Sequence, residues 1–505
     1  MRTLPIFIAL LGLSANLGCG SKDAANRPAP GMNVLLVTID ALRADSVSWN
    51  GSAFSTTPNL DALAGSSVVF THALTSFPGT TAAMPSLMSG LYPNFEDVTK
   101  WNEFTYNGFN EFETEAEAEQ PNIADGLPML AETLQSAGYR TIGFNTNPHL
   151  VGPRRFNQGF VDYEDFGGYM GKAQQTRSHP LEAAYPPADV VMAKVVPTIK
   201  KIGDEPFFMW VHLMEPHSPY LPPPPHDRVS PHTFSDVPDL QVNAALYHCL
   251  HRQWGAAPKD IVHPSMEEIG LEKEQLIEHL LGLYEGEIRF CDHALGQMFR
   301  SMERQSLLDD TLVIITADHG EEFFDHGYVT HHFESALAEE LIRIPLLIRP
   351  PGGVSDGLSI DGLARMVDIA PTVLDFVGLT EAAGSMEGTS LRPLIEGEET
   401  EPRVAYFSTI QYEIVRTERW KYRLEKNVAV EGQPAERLFD IVEDPMETRD
   451  LASQHPEVVA ALRADYAAFS ERLSSRGSVG AQGADGTRVI DKETRDRLEA
   501  LGYQQ

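Results

Sequence analysis

The chain has 505 residues, of which 42% are hydrophobic and 22% are charged. This length allows a large core and two or three domains, and the composition is that of an ordinary globular protein. The formal net charge of −33 argues against nucleic-acid binding, because a polyanion is repelled and no Lys/Arg-rich run offsets the repulsion. Most of the acidity is expected on solvated surface, and a smaller share is available as metal-binding carboxylate.

The N-terminus has the layout of a secretory signal. A basic residue precedes the apolar run LPIFIALLGLSANLG, which ends just before Cys19 and is too short to span a bilayer. The cysteine and the polar stretch after it resemble a bacterial lipobox, although Asn16 stands where an aliphatic residue is usual. We predict a lipoprotein-type signal peptide at 1–19 with a lipid anchor on Cys19, a linker at 20–32, and export to the periplasm or outer cell surface. A plain cleaved signal and a buried N-terminal helix are the alternatives.

Two further cysteines, Cys249 and Cys291, lie far apart in the sequence. In an oxidising compartment they could form a disulfide, and they could equally be two separate buried thiols. The sequence leaves both possibilities open.

Nearly continuous apolar runs predict strands that are buried on both faces. The first, NVLLVTID, begins at Asn33 and ends at Asp40, and helical patterns such as Leu127 to Tyr139 lie between several of the runs. Strands that alternate with helices indicate an α/β layer fold with a mostly parallel sheet. The other predicted strands begin at Ser67, Arg140, Pro206, Thr311 and Ile344.

Polar residues of the types that bind metals and substrates stand where these runs end. In sheets of this kind, ligands gather beyond the carboxyl ends of the strands. One terminal aspartate is usually a turn former, but four strand ends that carry such residues indicate a functional edge. The residues are Asp40, Asn145, Asn147, Glu215, His217, Asp318 and His319.

The rest of the chain predicts peripheral elements. We interpret the Pro- and His-rich stretch from Pro222 to Pro264 as an irregular insertion, and the amphipathic pattern after it as a long outer helix with solvent-facing acidic residues. We predict a smaller antiparallel C-terminal subdomain at 401–473. The evidence is an alternation of apolar and polar residues from about Glu401, followed by an Ala-rich helical pattern near 456–473. We predict a flexible linker and a last short helix at 474–505.

The segment TADHGEEFFDHGYVTHHFE, from Thr316 to Glu334, combines a carboxylate with several histidines. Carboxylate oxygen together with imidazole nitrogen suits zinc or manganese better than an all-oxygen calcium site. Asp40 would reach the same edge of the sheet from another strand, which favours a metal site over the alternative of a His-rich surface loop. The candidates in the segment are Asp318, His319, His326, His331 and His332.

The stretch SFPGTTAAMPSLMSGLYP, from Ser76 to Pro93, places Thr80 and Thr81 at the start of a short helix that Gly90 closes. A metal ion would activate an alcohol for attack on a phosphoryl or sulfuryl centre. A helix N-terminus would hold the anionic group that is attacked. Thr80 is therefore a candidate nucleophile; the alternatives are that it only caps the helix, or that Thr81 is the nucleophile.

Seven motifs together resemble the sulfatase family of the alkaline phosphatase superfamily. The resemblance runs from Asn33 to about Tyr466 in the order of the family. It implies an alkaline-phosphatase-like three-layer α/β fold, a sulfatase-like catalytic domain at 33–400, and hydrolysis of sulfate or phosphate/phosphonate esters. The motifs are VTIDALRAD, TTAAMPSLMSGLYP, HLMEPHSPYLPPP, TADHGEEFFDHG, ELIRIPLLIRPPG, VDIAPTVLDFVGL and RLFDIVEDPMETRDLA.

The resemblance also implies roles for individual residues. It places the divalent metal ion on Asp40, Thr80, Asp318 and His319. Besides Thr80, it assigns catalytic roles to His217 and His331, which would hold the leaving group or the transferred oxyanion. Asn147 and His149 match an active-site Lys-x-His pair that binds substrate, although the lysine is missing. A second metal site that uses Glu215, His217 and His331 is the alternative to a single metal.

The sequence departs from the family pattern at two places, and these departures bear on the expected metal and on the expected nucleophile. Ala41 replaces a second aspartate of calcium-type sulfatases, so zinc or manganese is favoured and calcium remains possible. The family converts Cys or Ser in a Cys/Ser-x-Pro-x-Arg motif to formylglycine, whereas Thr80, Ala82 and Met84 stand at the first, third and fifth positions here. Because oxidation of threonine gives a ketone, no formylglycine is expected, and Thr80 itself is the predicted nucleophile.

The prediction is a metal-dependent, lipid-anchored hydrolase of small-molecule, glycan or lipid esters that does not bind nucleic acid. Phosphodiesterase or phosphonate monoester hydrolase activity is compatible with an unmodified threonine. A transferase that moves a headgroup from lipid to glycan is the alternative within the enzyme class. The alternative outside it is a non-catalytic binding lipoprotein that retains the fold.

Overall fold

A computed structural model describes residues 32–93, 123, 127–166, 169, 185–234, 237–254, 269–326, 329–331, 337–398, 400–409, 411–426 and 436–476. The predicted lipidation site Cys19, almost all of the predicted linker at 20–32, His332 and most of the predicted tail at 474–505 lie outside these residues, as does the side chain of Cys249.

The described residues form strands and helices in alternation over most of the chain. The strands are β1 (Asn33–Ile39), β2 (Val68–Leu74), β3 (Arg140–Asn145), β4 (Asp162–Glu164), β5 (Phe207–Leu213), β6 (Thr311–Ala317), β7 (Glu322–Phe323), β8 (Val329–Thr330), β9 (Arg343–Arg349), β10 (Leu358–Ile360), β11 (Ala364–Arg365), β12 (Ala405–Ser408), β13 (Tyr412–Arg416), β14 (Trp420–Glu425) and β15 (Glu436–Asp440). The helices are α1 (Pro58–Ala64), α2 (Thr80–Ser89), α3 (Leu130–Ser136), α4 (Ala188–Ile199), α5 (Asp239–Trp254), α6 (Lys273–Arg304), α7 (Glu339–Ile342), α8 (Ile369–Phe376), α9 (Arg392–Ile395) and α10 (Pro456–Arg476).

The large sheet is mostly parallel, which confirms the predicted fold class. Its order within the described residues is β10-β2-β9-β6-β1-β5-β3-β4, and β11 also pairs with β2. β9 runs antiparallel to both of its neighbours. β1 lies between β5 and β6, parallel to both, and every residue of these three strands is buried. Burial on both faces requires apolar residues at consecutive positions, which explains the continuous apolar runs.

Helices on the two faces of this sheet complete the three-layer architecture. One group packs on the long helix α6, which contacts α1, α4 and α5. A second group contains α2, which contacts α3 and α8. α6 is amphipathic, and its buried apolar residues recur three or four positions apart and face the core. None of the described helices is long and apolar enough to cross a membrane.

The C-terminal part forms the predicted small antiparallel sheet, in the order β12-β13-β14-β15. Its apolar side chains share a cluster with those of α10, including Tyr406, Tyr422 and Phe469. α10 continues to Arg476, three residues into the segment predicted as a linker. The boundary between 400 and 401 remains a prediction.

The stretch from Pro222 to Pro264 is not irregular throughout, which corrects the prediction. A 3-10 turn forms at His226–Arg228, and helix α5 covers Asp239–Trp254. The prolines on its N-terminal side end at Pro238, and the helix itself contains none, so nothing in its sequence interrupts the backbone hydrogen bonds.

The expectation that the acidic residues of α6 face solvent is also wrong for two of them. Asp292 is buried and accepts hydrogen bonds from the amides of Asn59 (3.0 Å) and Leu60 (2.9 Å) at the start of α1. Glu287 is buried and accepts a hydrogen bond from the Leu221 amide (2.8 Å). Asp292 satisfies amides at a helix N-terminus that have no acceptor within the helix. This helix therefore uses carboxylates to hold neighbouring segments.

A buried ionic network connects the large sheet with the C-terminal sheet. Glu339, in the helix that leads into β9, accepts hydrogen bonds from Nε and Nη2 of Arg416 in β13, both at 3.1 Å. Lys421 of β14 lies 3.8 Å from the same carboxylate and also pairs with Glu447. Burial by itself raises the pKa of Glu339, but the two cations outweigh burial and lower the pKa to about 2.

This network predicts a loss of stability in acid. Because Glu339 binds its proton more weakly in the folded protein than in the unfolded chain, where its pKa is about 4.3, it stabilises the fold above that pH. The contribution is lost as the pH falls toward 2. We expect Glu339→Gln to lower the free energy of unfolding by about 3 kcal/mol at pH 7 and by clearly less at pH 3, measured by urea unfolding at both pH values.

A surface ion pair provides the control for this prediction. Glu396 pairs with Arg392 across one turn of α9, and both side chains are exposed to solvent. Glu396→Gln is expected to change the free energy of unfolding by less than about 1 kcal/mol at either pH. An equal loss for Glu339→Gln at pH 7 and pH 3 would contradict the assignment.

Candidate metal centre and active site

The strand ends that carry the candidate residues meet at one edge of the large sheet. Ile39, the last residue of β1, lies opposite Leu213 of β5 and Ala317 of β6. Asn145, at the end of β3, lies opposite His212 of β5. The residues that follow these four parallel strands therefore emerge side by side, as the sequence predicts.

Asp40, Asp318 and His319 form a buried cluster at this edge. One ligand atom from each lies within 4.8 Å of the others, and all three residues are fully buried. Asp40 Oδ1, Asp318 Oδ2 and His319 Nε2 have no hydrogen-bond partner among the described residues. Buried polar atoms are normally satisfied, so three such atoms that converge fit a divalent cation with mixed oxygen and nitrogen ligands.

In each aspartate, the second oxygen is held by two donors. Asp318 Oδ1 accepts hydrogen bonds from the amides of Ala41 (3.1 Å) and His319 (2.8 Å). Asp40 Oδ2 accepts one from Asn147 Nδ2 (2.6 Å) and contacts His212 Nε2 at 3.1 Å. Each carboxylate is thereby fixed through one oxygen and presents the other to the cluster.

The backbone around the cluster adopts conformations that its contacts require. Ala41 has a left-handed φ of 55°, and in this conformation its amide reaches Asp318. Gly320 follows the histidine, and a Cβ there would lie 1.8 Å from the carbonyl oxygen of Glu340, so only glycine fits. The Gly320 carbonyl accepts a hydrogen bond from His319 Nδ1 (2.8 Å), which leaves Nε2 with a free lone pair.

The electrostatic environment keeps Asp40 ionised. Burial raises the pKa of Asp40, but the hydrogen bond with His212 and the neighbouring imidazoles His217 and His319 outweigh it, so that the pKa lies well below its ordinary value. Close by, burial raises the pKa of Glu321 to about 7. Asp40 is therefore available as an anionic ligand, which a divalent cation requires.

A buried relay ends on Asp40, and the sequence analysis did not identify it. Trp210 Nε1 donates to Thr38 Oγ1 (2.9 Å), and Thr38 Oγ1 contacts His212 Nδ1 (2.8 Å). Because the ionised Asp40 carboxylate only accepts, His212 Nε2 carries the hydrogen that points at Asp40. In this tautomer Nδ1 accepts from the Thr38 hydroxyl, whose oxygen accepts from the indole. All four residues are fully buried. The only signal in the sequence was a histidine inside the apolar strand FFMWVHL.

This relay predicts that His212 supports metal affinity through Asp40. His212→Leu removes the donor, and we expect metal affinity to fall about 10- to 100-fold, measured by competition with a chromophoric chelator. His212→Gln restores a donor near the Nε2 position and should recover most of the affinity. His279→Leu is the control, because His279 is equally buried but bonds to Asp239 between α5 and α6. Wild-type affinity in His212→Leu would show that the relay has no such role.

Thr80 lies at the start of α2 beside Asn147. The N-cap of α2 is Gly79 and no side chain caps the helix, so the alternative that Thr80 is the N-cap is wrong. Thr80 is buried and Thr81 is half-buried. Asn147 Nδ2 lies 3.4 Å from Thr80 Oγ1 and also donates to Asp40. One amide therefore connects the threonine hydroxyl with the carboxylate cluster.

Three histidine rings form a row beside the cluster. The ring centroid of His331 lies 4.4 Å from that of His319 and 5.0 Å from that of His217. His217 Nδ1 contacts the Ser218 carbonyl oxygen (2.7 Å), and His331 Nδ1 contacts Glu321 Oε1 (3.1 Å). Since a carbonyl oxygen only accepts, His217 donates from Nδ1.

Other candidates take positions away from the cluster. His326 contacts Glu340 at 3.2 Å. Glu215 Oε1 accepts a hydrogen bond from the Ala188 amide at the start of α4 (2.7 Å), and burial raises the pKa of Glu215 to about 7. Cys291 is a buried free thiol. Among the described residues, Asp40, Asp318 and His319 are the one group of three potential ligands that converges, and Glu215 is not part of it.

The family profile described as Sulfatase matches residues 32–379. The chain belongs to the sulfatase family. A second profile, described as N-sulphoglucosamine sulphohydrolase, C-terminal, matches residues 325–471 of this sulfatase-family protein. These matches confirm the resemblance seen in the sequence and identify a sulfatase-like hydrolase.

Individual relatives extend over most of this sulfatase-family chain. It is 26% identical to a choline-sulfatase of Rhizobium meliloti (strain 1021), over 83% of this chain and 82% of the relative. The structure of the phosphonate monoester hydrolase of Agrobacterium radiobacter matches with a TM-score of 0.60 and 22% identity, over 88% of this chain and 96% of that one. A protein solved in complex with its substrate D-glucosamine-2-N,6-O-disulfate matches with a TM-score of 0.65 and 19% identity, over 90% and 99%. Both structures share the fold.

Proposed function

We propose that this protein is a metal-dependent hydrolase of sulfate or phosphate/phosphonate esters that uses Thr80, unmodified, as its nucleophile. The observation that carries the proposal is the convergence of three unsatisfied ligand atoms, from Asp40, Asp318 and His319, beside a buried threonine hydroxyl. The Thr80 hydroxyl is linked to this cluster through Asn147. A divalent ion bound there lowers the pKa of an adjacent hydroxyl and neutralises charge on the group that is transferred.

Thr80 performs the transfer in this proposal. The hydroxyl loses its proton as Oγ1 forms a bond to sulfur or phosphorus, the bond from that atom to the ester oxygen breaks, and the released alkoxide takes up a proton, so that no net proton is lost. A water oxygen then bonds to sulfur or phosphorus, the bond from that atom to Oγ1 breaks, and Oγ1 takes up a proton from the water, which releases the sulfate, phosphate or phosphonate and restores the hydroxyl. The N-terminus of α2 favours the anionic group, because the first amides of a helix and its dipole point at the site.

The neighbouring residues hold the substrate and move protons. His217 and His331 lie in the histidine row next to His319, where one can hold the transferred oxyanion and the other can protonate the leaving oxygen. Asn147 orients the Thr80 hydroxyl. We propose that His149 donates a hydrogen bond to the substrate.

The donor set favours zinc or manganese over calcium. His319 supplies a nitrogen ligand, and Ala41 supplies no side-chain oxygen where calcium-type sulfatases have aspartate. Calcium prefers six to eight oxygen ligands, whereas zinc and manganese accept mixed nitrogen and oxygen sets. A single metal is proposed, because Glu215 lies outside the one group of three potential ligands that converges among the described residues.

Two lines of support bear on the ester that is cleaved. The relatives include a choline-sulfatase and, in structure, a phosphonate monoester hydrolase and a protein with a disulfated sugar as substrate. An unmodified threonine forms an alkyl ester on attack, and hydrolysis of that ester is a familiar route for phosphorus centres. The substrate is proposed to be a small-molecule, glycan or lipid ester.

The test is an assay panel on full-length protein reconstituted with zinc, manganese or calcium. The substrates are an aryl sulfate, an aryl phosphonate monoester and a bis-aryl phosphate, with chelator-treated protein as the control. We expect zinc or manganese to support turnover of at least one substrate. No turnover of any substrate by metal-loaded protein would favour a binding protein that retains the fold, and headgroup transfer to a glycan without hydrolysis would favour the transferase.

We also propose that the protein is exported and anchored to a membrane through a lipid on Cys19. The support is the sequence around Cys19 alone. Cys19→Ser should move the protein from the membrane fraction to the soluble fraction. Its retention in the membrane fraction would argue for another mode of attachment.

A further inference from the structure

Arg154 carries a buried guanidinium that no carboxylate balances among the described residues. It ends a short 3-10 turn at Gly152–Arg154, after β3, and is 4% exposed. Nη1 lies 2.7 Å from His149 Nδ1, while Nε and Nη2 have no hydrogen-bond partner in the described part of the chain. Burial lowers the pKa of Arg154 to about 9, which still leaves it charged at neutral pH.

An unbalanced buried cation destabilises the folded protein on its own. Buried charges are normally paired or hydrogen-bonded, because removal from water costs free energy that a partner must offset. Within the described residues, Arg154 has one hydrogen-bond partner, the His149 ring, and its Nε and Nη2 have none. The nitrogens of a guanidinium lie in one plane and can donate two hydrogen bonds to one oxyanion. A bound anion would therefore balance the charge of Arg154 and accept hydrogen bonds from its nitrogens.

Arg154 lies next to the candidate active site rather than in a remote part of the fold. Since an arginine only donates, His149 accepts at Nδ1 and carries its hydrogen on Nε2. The same imidazole lies within electrostatic reach of Asp40, His217 and His331. The His149 amide donates to Asn147 Oδ1 (2.8 Å), and Asn147 Nδ2 lies 3.4 Å from Thr80 Oγ1. The guanidinium is therefore linked to the proposed nucleophile through His149 and Asn147.

We propose that Arg154 binds a second anionic group on the substrate, so that the preferred esters carry a further sulfate, phosphate or carboxylate on their alcohol part. The inference rests on the proposed ester hydrolase function and specifies its substrate class. The ester group under attack would lie at Thr80, and the second anion would bind beyond His149.

The test compares two sulfonates that the enzyme does not hydrolyse. Full-length zinc-loaded protein is titrated calorimetrically with ethanesulfonate and with 1,2-ethanedisulfonate. We expect the disulfonate to bind at least about 10-fold more tightly, because the second sulfonate gains charge-assisted hydrogen bonds. Arg154→Met should remove this preference and leave ethanesulfonate binding within about twofold of wild type.

Two further variants separate the proposal from simpler explanations. Arg155→Met removes the same charge one residue later, where Arg155 is only half-buried, and should leave the preference intact. Arg154→Gln retains a donor for His149 but no charge, and should also lose the preference, which keeps the test valid if Arg154→Met does not fold.

The possible failures are distinguishable. Equal loss of both sulfonates in Arg154→Met would mean that Arg154 only positions His149, and an unchanged preference in Arg154→Met and Arg154→Gln would mean that it binds no substrate. Either result overturns the inference and leaves the hydrolase proposal standing. No binding of either sulfonate by wild type, together with no turnover on the ester panel, would overturn both.

Discussion

Thr80→Ala is expected to lower kcat by about 10⁴-fold or more in the metal-loaded enzyme, because it removes the oxygen that forms the bond to sulfur or phosphorus. Thr80→Ser retains a hydroxyl at the same position and should keep a measurable fraction of the activity. Steady-state kinetics on the substrate that wild type cleaves best, with metal content determined for each variant, measures both effects.

The neighbouring residue provides a matched control for the nucleophile. Thr81 is the second residue of α2 and is half-buried, and Thr81→Ala changes the same chemical group one position along the helix. It should affect kcat by less than about 10-fold. If Thr80→Ala kept its activity, or if Thr81→Ala lost as much as Thr80→Ala was expected to lose, the assignment of the nucleophile would be wrong.

Asp318→Asn is expected to abolish high-affinity metal binding, because Asp318 Oδ2 is one of the three unsatisfied ligand atoms and a neutral amide is a much weaker ligand. Metal content after dialysis should fall from about one ion per chain to near zero, and turnover should fall with it. A second readout does not depend on activity. Zinc at 100 times its dissociation constant should stabilise wild type by about 2.7 kcal/mol, seen as a rise in Tm, and should leave the Tm of Asp318→Asn unchanged.

A buried aspartate elsewhere in the fold controls for the general effect of this substitution. Asp292 is also buried, but it satisfies the amides at the start of α1. Asp292→Asn should lower stability while metal binding and the zinc-dependent rise in Tm persist. If Asp318→Asn bound zinc as wild type does, the cluster would not be the metal site.

The central strands could be predicted from the sequence because burial on both faces determines the residue types at consecutive positions. A strand buried on both faces needs apolar residues at every position, so β1, β5 and β6 appear as unbroken runs. Their parallel arrangement then brings their carboxyl ends together. This is why the sequence alone indicates that Asp40 lies near Asp318 and His319. Seven motifs in the order of the family together carried the resemblance to the sulfatase family.

Other features depended on contacts between distant segments. His212 lies within the apolar run of β5, so the sequence pattern gives it no role. Its role in holding Asp40 follows from its contacts with Thr38 of β1 and with Asp40, which comes directly after β1. Asp292 looked like a surface residue of an amphipathic helix, but the start of α1 packs against it. Periodicity describes which face of an element is buried, and it does not show which polar group on another element meets that face.

The sequence by itself therefore indicated the fold class and the functional edge, because these follow from apolar patterns and from residue types at strand ends. Its motifs also showed the resemblance to the sulfatase family. The tertiary structure decided which atoms converge. It shows that one oxygen of each aspartate is fixed while the other faces the cluster, and that Thr80 follows the N-cap rather than forming it. It also shows that Arg154 is buried with no carboxylate partner in the part of the chain that is described. The reason is physical. Burial, tautomer and charge balance depend on neighbours that are far apart in the chain and become adjacent only on folding.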